Sequence, residues 1–191
     1  MREQELKYLI SAGDYDKLRK ESVEERLQTN YYFDTRAFPG AMLRLRQKHT
    51  GVWKLALKLR KGEADGVFVN EEKSVVVSAE DAARWQNEGI SSEVVNRTFG
   101  DRFGPYLFRL LGSLQTLRCI VPVGEWRFEA DRNDYCGKRD YEIECEGEDE
   151  ASLQEAAKYL KERFSCREST AKYLRFLREY EKGPAERLSC R

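Results

Sequence analysis

The feature that most constrains the fold is an alternation of charged and bulky side chains, seen already in the first residues of the chain. Glu3, Glu5 and Lys7 occur at two-residue spacing, with Leu6 and Tyr8 at the alternate positions. In an extended strand successive side chains point to opposite faces, so the three charged residues share one face and lie about 6.5–7 Å apart. A solvated strand face would explain this motif if it stood alone.

The same alternation recurs in at least four further segments, and this recurrence indicates more than solvated strands. Its charged members are Arg44 and Arg46; Lys54 and Lys58; Arg127, Glu129 and Asp131; and Glu142, Glu144 and Glu146. Many short antiparallel strands are typical of a sandwich or a barrel. We predict an α+β fold: a closed antiparallel β-barrel of about eight strands forming a charged tunnel, with helices packed outside and a C-terminal helix near one mouth.

The predicted elements fill most of the chain. Strands are expected at 3–10, 28–34, 41–48, 52–60 and 67–77, and three more between Leu114 and Glu146. Helices are expected at 14–26, 78–88, 149–164 and 170–182, and 91–111 looks helical although Gly100, Gly104 and Pro105 interrupt it. We find no repeat or linker, which predicts a single domain over 1–182 and a flexible C-terminal tail over 183–191.

Composition excludes several classes of protein. The 191 residues contain 34 basic and 34 acidic side chains, so the formal net charge is zero. A general nucleic-acid or membrane binder would carry a basic excess, and no apolar run approaches the roughly 20 residues that span a bilayer. With one histidine, a zinc site or a histidine triad is not expected. Five cysteines without a CxxC pair or an export signal predict reduced thiols in the cytoplasm.

The motifs together resemble those of the CYTH superfamily, also called triphosphate tunnel metalloenzymes. Glu3-x-Glu5-x-Lys7 is similar to the N-terminal motif of that family. The later motifs follow in the family's order: Tyr32-Phe33-Asp34-Thr35, Leu43-Arg44-Leu45-Arg46, Leu55-Ala56-Leu57-Lys58, Asp140-Tyr141-Glu142-Ile143-Glu144 and Ser169-x-x-Lys172-x-x-x-Phe176. The resemblance implies an enzyme related to class IV adenylate cyclases, thiamine triphosphatases and inorganic triphosphatases.

A triphosphate carries about four negative charges near neutral pH, so binding one requires several cations close together. Arginines suit bidentate phosphate contacts, whereas lysines act as point charges. The predicted substrate-binding residues are Lys7, Arg44, Arg46, Lys54, Lys58, Arg118 and Lys172. Lys172 belongs to the C-terminal helix and is expected to close one mouth.

The carboxylates suit a hard divalent ion, Mg²⁺ or Mn²⁺, which prefers oxygen ligands. In the family an acidic wall of this sort holds the metal, and the residues expected to do so here are Glu3, Glu5, Glu142 and Glu144. Glu5, Glu3 and Lys7 are the predicted catalytic residues, with Glu5 or Glu3 orienting or deprotonating a water. Further candidates are Glu72, Glu129, Asp131 and Arg127. Glu71 and Glu72 are adjacent, so only one of them can face the interior.

These expectations favour a metal-dependent triphosphatase acting on inorganic tripolyphosphate, because no base-recognition element is obvious. A cyclase that makes cyclic AMP from ATP and a thiamine triphosphatase are the enzymatic alternatives. A polyphosphate- or nucleotide-binding module without turnover is the non-enzymatic one. The expected ligand is a small-molecule triphosphate or nucleotide, with no nucleic-acid or membrane partner, and exposed helices could pair two subunits in a homodimer.

Overall fold

The computed structural model describes residues 2–64, 67–100, 103–147 and 150–183. Its strands are β1 (Arg2–Leu9), β2 (Glu24–Phe33), β3 (Ala41–Lys48), β4 (Trp53–Ala64), β5 (Val67–Val77), β6 (Ile90–Ser91), β7 (Leu107–Phe108), β8 (Leu110–Val123), β9 (Trp126–Tyr135), β10 (Lys138–Gly147) and β11 (Arg167–Glu168). Its helices are α1 (Ala12–Lys20), α2 (Ala79–Glu88), α3 (Ser92–Phe99), α4 (Glu150–Arg163) and α5 (Lys172–Tyr180).

Nine strands form one antiparallel sheet in the order β10-β9-β8-β2-β3-β4-β5-β1-β11. Strand β1 pairs with β5 over Arg2–Leu6, with β11 at Tyr8 and Leu9, and on its other side with β10 over Gln4–Leu9. The prediction of a closed barrel of about eight strands is therefore wrong: the sheet has nine strands, branches at β1 and ends on β11. Alternation shows which face a side chain takes, but a two-residue strand such as β11 is too short to show any periodicity.

The two faces of the sheet differ in the way that the alternation predicts. On β3, Leu43 and Leu45 are fully buried on the outer face, whereas Arg44 and Arg46 lie on the inner one. Helices α2 and α3 pack on the outer face of β3 and β4 through residues such as Trp85, while α1 and α4 cover β1, β9 and β10. Two of the apolar clusters of the described residues therefore lie outside the sheet, and a third, around Tyr32 and Phe176, lies between the sheet and α5, so that the rest of the inner face is left to charged groups.

Helix α5 closes one side of that inner face. Tyr173 donates or accepts a 3.0 Å hydrogen bond with Thr35, and the Phe176 ring lies 5.1 Å from the Tyr32 ring. These contacts hold the first turn of α5, which begins at Lys172, against β2.

Several predicted helix bounds are wrong. Helix α1 begins after the N-cap Ser11 and ends at Lys20, because β2 already begins at Glu24. Among the described residues of the segment predicted as helical over 91–111, only Ser92–Phe99 are helical, and Gly100 at φ +101° ends this helix. Beyond it the chain forms β7 and the start of β8. Asp149, the predicted start of the fourth helix, lies outside the described residues, as does the predicted tail from 184 onward.

The thiol prediction is also wrong in part. Cys119, Cys145 and Cys166 are free, but Cys136 is disulfide-bonded. Among the described residues, no helix is long and apolar enough to cross a membrane.

Candidate active site

A cavity of about 480 Å³ lies between the inner face of the sheet and α5. Eight elements contribute charged or polar side chains to it, because alternate residues of each strand point to the same side. Nine of the site residues predicted from the sequence line this cavity: Glu5, Lys7, Arg44, Arg46, Lys58, Glu72, Arg118, Glu144 and Lys172. The cavity is therefore the candidate active site.

Cations on β3 and β4 line the cavity and are partly neutralised by Glu72 of β5. Arg44 contacts Glu72 at 3.1 Å, and Lys58 lies 3.7 Å from the same carboxylate. The adjacent Glu71 instead pairs with Lys61 at 2.9 Å, so Glu72 is the member of the pair that faces the interior. The sequence left open which of the two adjacent glutamates faces the interior, and in the structure it is Glu72.

Arg46 differs from its neighbours because its contact is a neutral one: its Nε donates a 2.8 Å hydrogen bond to Asn30. Burial, and then the positive charges of Arg44 and Arg118, lower the pKa of Arg46 to about 9. Among the described cavity residues, its guanidinium is the least compensated cation. An anion beside Arg46 would remove this unfavourable energy.

Glu5 lies where the cationic wall meets the acidic one. Its carboxylate is 3.1 Å from Lys7 and 3.0 Å from Lys58, and it accepts a 3.1 Å hydrogen bond from Asn70. Burial raises the pKa of Glu5, but Lys7 and Lys58 outweigh burial, so that the net pKa is lowered. Glu5 is therefore ionised at neutral pH and able to accept a proton or bind a cation.

The acidic wall consists of three buried carboxylates on two neighbouring strands: Asp131 on β9 and Glu142 and Glu144 on β10. Their nearest oxygens all lie within 4.8 Å of one another. Lys172 reaches all three, and Arg118 contacts Asp131 and Glu144 at 2.7 Å each. Asp131 and Glu142 lie behind the cavity wall, and Glu144 lines it.

The two glutamates of β10 differ in protonation equilibrium. Burial and the nearby Glu144 raise the pKa of Glu142, although Lys172 opposes this. Burial also disfavours the charged form of Glu144, but Lys172, Lys7 and Arg118 together hold its pKa well below the usual range. The carboxylates raise the pKa of Lys172 and of Lys7 against the effect of burial. Both ammonium groups are therefore charged at neutral pH.

The donor set fits a hard divalent ion, since three buried carboxylate oxygens converge and such ions prefer oxygen ligands. Glu142 and Glu144 were expected as ligands, and the structure adds Asp131, which the sequence suggested only as a further candidate. Lys7 links Glu5 to the carboxylate cluster, since it lies 3.1 Å from Glu5 and 3.3 Å from Glu144.

Four other residues predicted for the site are not among the described residues that line the cavity. Glu3 is on β1 opposite Asn70, and its side chain is outside the described part of the structure. Lys54 lies opposite Arg46 in the register of β3 and β4, but it does not line the cavity. Arg127 is exposed to solvent, and Glu129 is ion-paired with Arg118.

Sequence reasoning missed two kinds of residue. Asn30 and Asn70 line the cavity with the parity of Tyr32 and Glu72, so parity could have indicated them. Arg175 was not among the predicted site residues, yet it is buried and contacts Glu142 at 2.5 Å and Asp140 at 2.9 Å. Its position three residues after Lys172 places both on one face of α5, which was the available signal.

Similarity to known proteins agrees with this geometry. A protein from Hippeastrum, described as a candidate adenylyl cyclase with a dominant triphosphatase activity, superposes with a TM-score of 0.74 at 23% identity, covering 96% of this chain and 99% of the other. A candidate adenylate cyclase from Bacillus halodurans has a TM-score of 0.67 at 23% identity, covering 90% and 95%.

The fold also occurs in a chain of the Schizosaccharomyces pombe Mediator head module, with a TM-score of 0.58 at 10% identity over 87% of this chain and 98% of the other. A search of curated proteins by sequence finds no significant match. The CYTH domain family matches residues 1–176, nearly the whole chain. The resemblance drawn from the motifs is thereby confirmed, and the chain belongs to the CYTH domain family.

Proposed function

We propose that this protein is a divalent-metal-dependent hydrolase of a triphosphate, with inorganic tripolyphosphate as the favoured substrate. The observation that carries the proposal is a cavity with cations on β3 and β4 and a carboxylate cluster that reaches the cavity wall through Glu144. A triphosphate needs the first group and a divalent metal the second. Family membership and the activity named for the Hippeastrum protein support the same reaction class.

In this proposal the cations hold the phosphate oxygens. Arg46 binds one phosphate most strongly, because its charge is the least compensated, while Arg44, Lys58 and Lys7 contact the others as their carboxylate partners are released. Arg118 and Lys172 add contacts from β8 and α5. Positioning and electrostatic stabilisation supply most of the catalysis of phosphoryl transfer.

The carboxylates have two roles. Glu142, Glu144 and Asp131 would hold Mg²⁺ or Mn²⁺, with Glu5 and Glu3 as the ligands proposed from β1. When bound, the metal would offset negative charge on the phosphate oxygens. Glu5 is ionised and lines the cavity, so it is the group proposed to orient or deprotonate the attacking water.

An organic triphosphate is the second candidate, because part of the cavity wall is apolar. Phe38, Pro39 and Met42 from the β2–β3 region, with Leu174 and Leu177 of α5, line this part. Such a surface could pack against the adenosine of ATP or the rings of thiamine triphosphate. It favours a cyclase or a thiamine triphosphatase over the inorganic reaction.

Product analysis tests these candidates together. The purified protein is incubated with Mg²⁺ or Mn²⁺ and tripolyphosphate, ATP or thiamine triphosphate, with Lys17→Met as a matched surface variant and EDTA as the metal control. Phosphate release from tripolyphosphate, lost in EDTA, would support the leading proposal, whereas cyclic AMP from ATP would identify a cyclase. No product from any substrate, with thermal stabilisation by tripolyphosphate, would refute catalysis and indicate a binding module.

A further inference from the structure

Lys172 lies at the centre of the acidic cluster. Its Nζ is 2.8 Å from Asp131 Oδ2, 2.6 Å from Glu142 Oε1 and 2.9 Å from Glu144 Oε1. The same three carboxylates have oxygens close enough together to hold one metal ion. The cluster is therefore already filled by a cation that belongs to the chain.

Neighbouring residues hold the glutamates so that one oxygen of each is directed at Lys172. Arg175 and Ser169 contact Oε2 of Glu142 at 2.5 and 2.9 Å, which leaves Oε1 for Lys172. Arg118 binds Oε2 of Glu144 at 2.7 Å, so that Lys172 contacts Oε1, which also accepts a 3.3 Å hydrogen bond from Lys7. The two arginines thus orient the carboxylates, as outer-shell partners do in metal sites.

The Lys172 side chain can also reach the cavity as an alternative to the carboxylates. It is the first residue of α5 and lines the cavity in which we propose that the phosphates bind. Its ammonium is a compact charge on a flexible four-carbon stem, so it can change partner without movement of the helix. An ammonium and a divalent ion cannot share three carboxylate oxygens in a desolvated site, because their mutual repulsion is large there.

We propose that Lys172 is an internal counter-cation that occupies the metal position in the metal-free protein and is displaced from it when a divalent ion binds. Displacement frees its ammonium to contact the phosphates, so metal and triphosphate favour each other's binding. This inference rests on the proposed function only in requiring that a divalent ion binds to the cluster. It adds that the chain itself competes for that position.

The test is Mn²⁺ binding without any phosphate ligand, measured for the wild type and Lys172→Met from the electron paramagnetic resonance signal of free Mn²⁺. Removing the competing charge should tighten Mn²⁺ binding by about tenfold or more. Lys17→Met, which also removes a lysine ion-paired to a carboxylate, at 3.0 Å from Asp14, should bind Mn²⁺ as the wild type does. Equal or weaker binding by Lys172→Met would overturn the proposal.

A second measurement uses the wild type, in case Lys172→Met does not fold. Lysines are acetylated briefly with an N-hydroxysuccinimide ester, with and without Mg²⁺, and the modified peptides are quantified by mass spectrometry. Acetylation of Lys172 should increase in Mg²⁺, while that of the exposed Lys17 stays constant. Unchanged or decreased acetylation of Lys172 would refute displacement. Both readouts are independent of turnover, so loss of phosphate release alone would count only against the proposed function.

Discussion

Replacing Arg46 by methionine should make the protein more stable and its ligand binding weaker. Arg46 carries a half-buried charge whose contact is the neutral Asn30, and its pKa is lowered from 12.5 to about 9 by burial, Arg44 and Arg118. A group whose pKa is lower when folded than when unfolded destabilises the folded state wherever it is protonated. At pH 7, therefore, removing this charge should favour folding.

The size of the effect follows from the same values. The difference between 12.5 and about 9 corresponds to an upper limit of ~5 kcal/mol. The side chain is half-buried, so solvent screens part of this cost, and the variant also loses the hydrogen bond to Asn30. A net gain of about 1 kcal/mol remains, which raises the melting temperature by about 2–4 °C for a chain of this size.

The assay is thermal unfolding at pH 7 without phosphate, followed by calorimetric titration with tripolyphosphate. Loss of a charge-assisted contact should weaken ligand binding by roughly 10–100-fold. Arg44→Met is the matched control, because Arg44 lies two residues away on the same face of β3 but is paired with Glu72 at 3.1 Å. The free energy of unfolding of Arg44→Met should fall by about 2 kcal/mol, since Glu72 loses its ion pair with Arg44. A melting temperature of Arg46→Met below the wild-type value would refute the reasoning.

Three further predictions concern other groups. Glu5→Gln should abolish phosphate release while leaving the far-UV circular dichroism spectrum unchanged, and a fully active variant would exclude Glu5 as the base. Asp14→Asn should lower the free energy of unfolding by about 1–3 kcal/mol at pH 7. The Ser165 hydroxyl, opposed by burial, lowers the pKa of Asp14, so its contribution is present above the ordinary value of 3.8 and is lost as the pH falls below it. The free energies of unfolding of the variant and the wild type, measured in urea, should therefore converge in acid. A difference between them that stays unchanged in acid would contradict this. Burial and Asp14 raise the pKa of the Cys166 thiol to about 11, so iodoacetamide should label Cys166 slowly at pH 8 and faster as the pH rises towards 11. Rapid labelling at pH 8 would show that this thiol is not perturbed.

Period-two alternation was enough to predict which face most charged residues take. Arg44 and Arg46 line the cavity and Leu43 and Leu45 are buried behind them, because strand geometry alone decides this. The family motifs then predicted that residues far apart in the sequence, such as Lys7 and Glu144, lie close together; they are in fact ion-paired at 3.3 Å.

Alternation could not predict how the edges of the sheet meet or how deep each charge lies. Strand β11 has two residues and no period, so the closed barrel was expected without it. Lys54 has the same parity as Lys58, yet only Lys58 lines the cavity, because position along a strand also decides exposure. Arg175 was missed because its partners, Asp140 and Glu142, belong to another element of the fold.

The ion pairs within the cavity suggest why metal and triphosphate should bind together. A triphosphate alone would take Arg44, Lys58 and Lys7 from Glu72 and Glu5, leaving carboxylates desolvated without partners, which is costly. A metal alone would displace Lys172 from its carboxylates and leave that ammonium unpaired. Only the two ligands together give both Glu5 and Lys172 a new partner, the metal for the first and a phosphate for the second. We therefore expect Mg²⁺ and tripolyphosphate together to raise the melting temperature by more than the sum of their separate effects. A merely additive shift would mean that the two walls of the cavity bind their ligands independently.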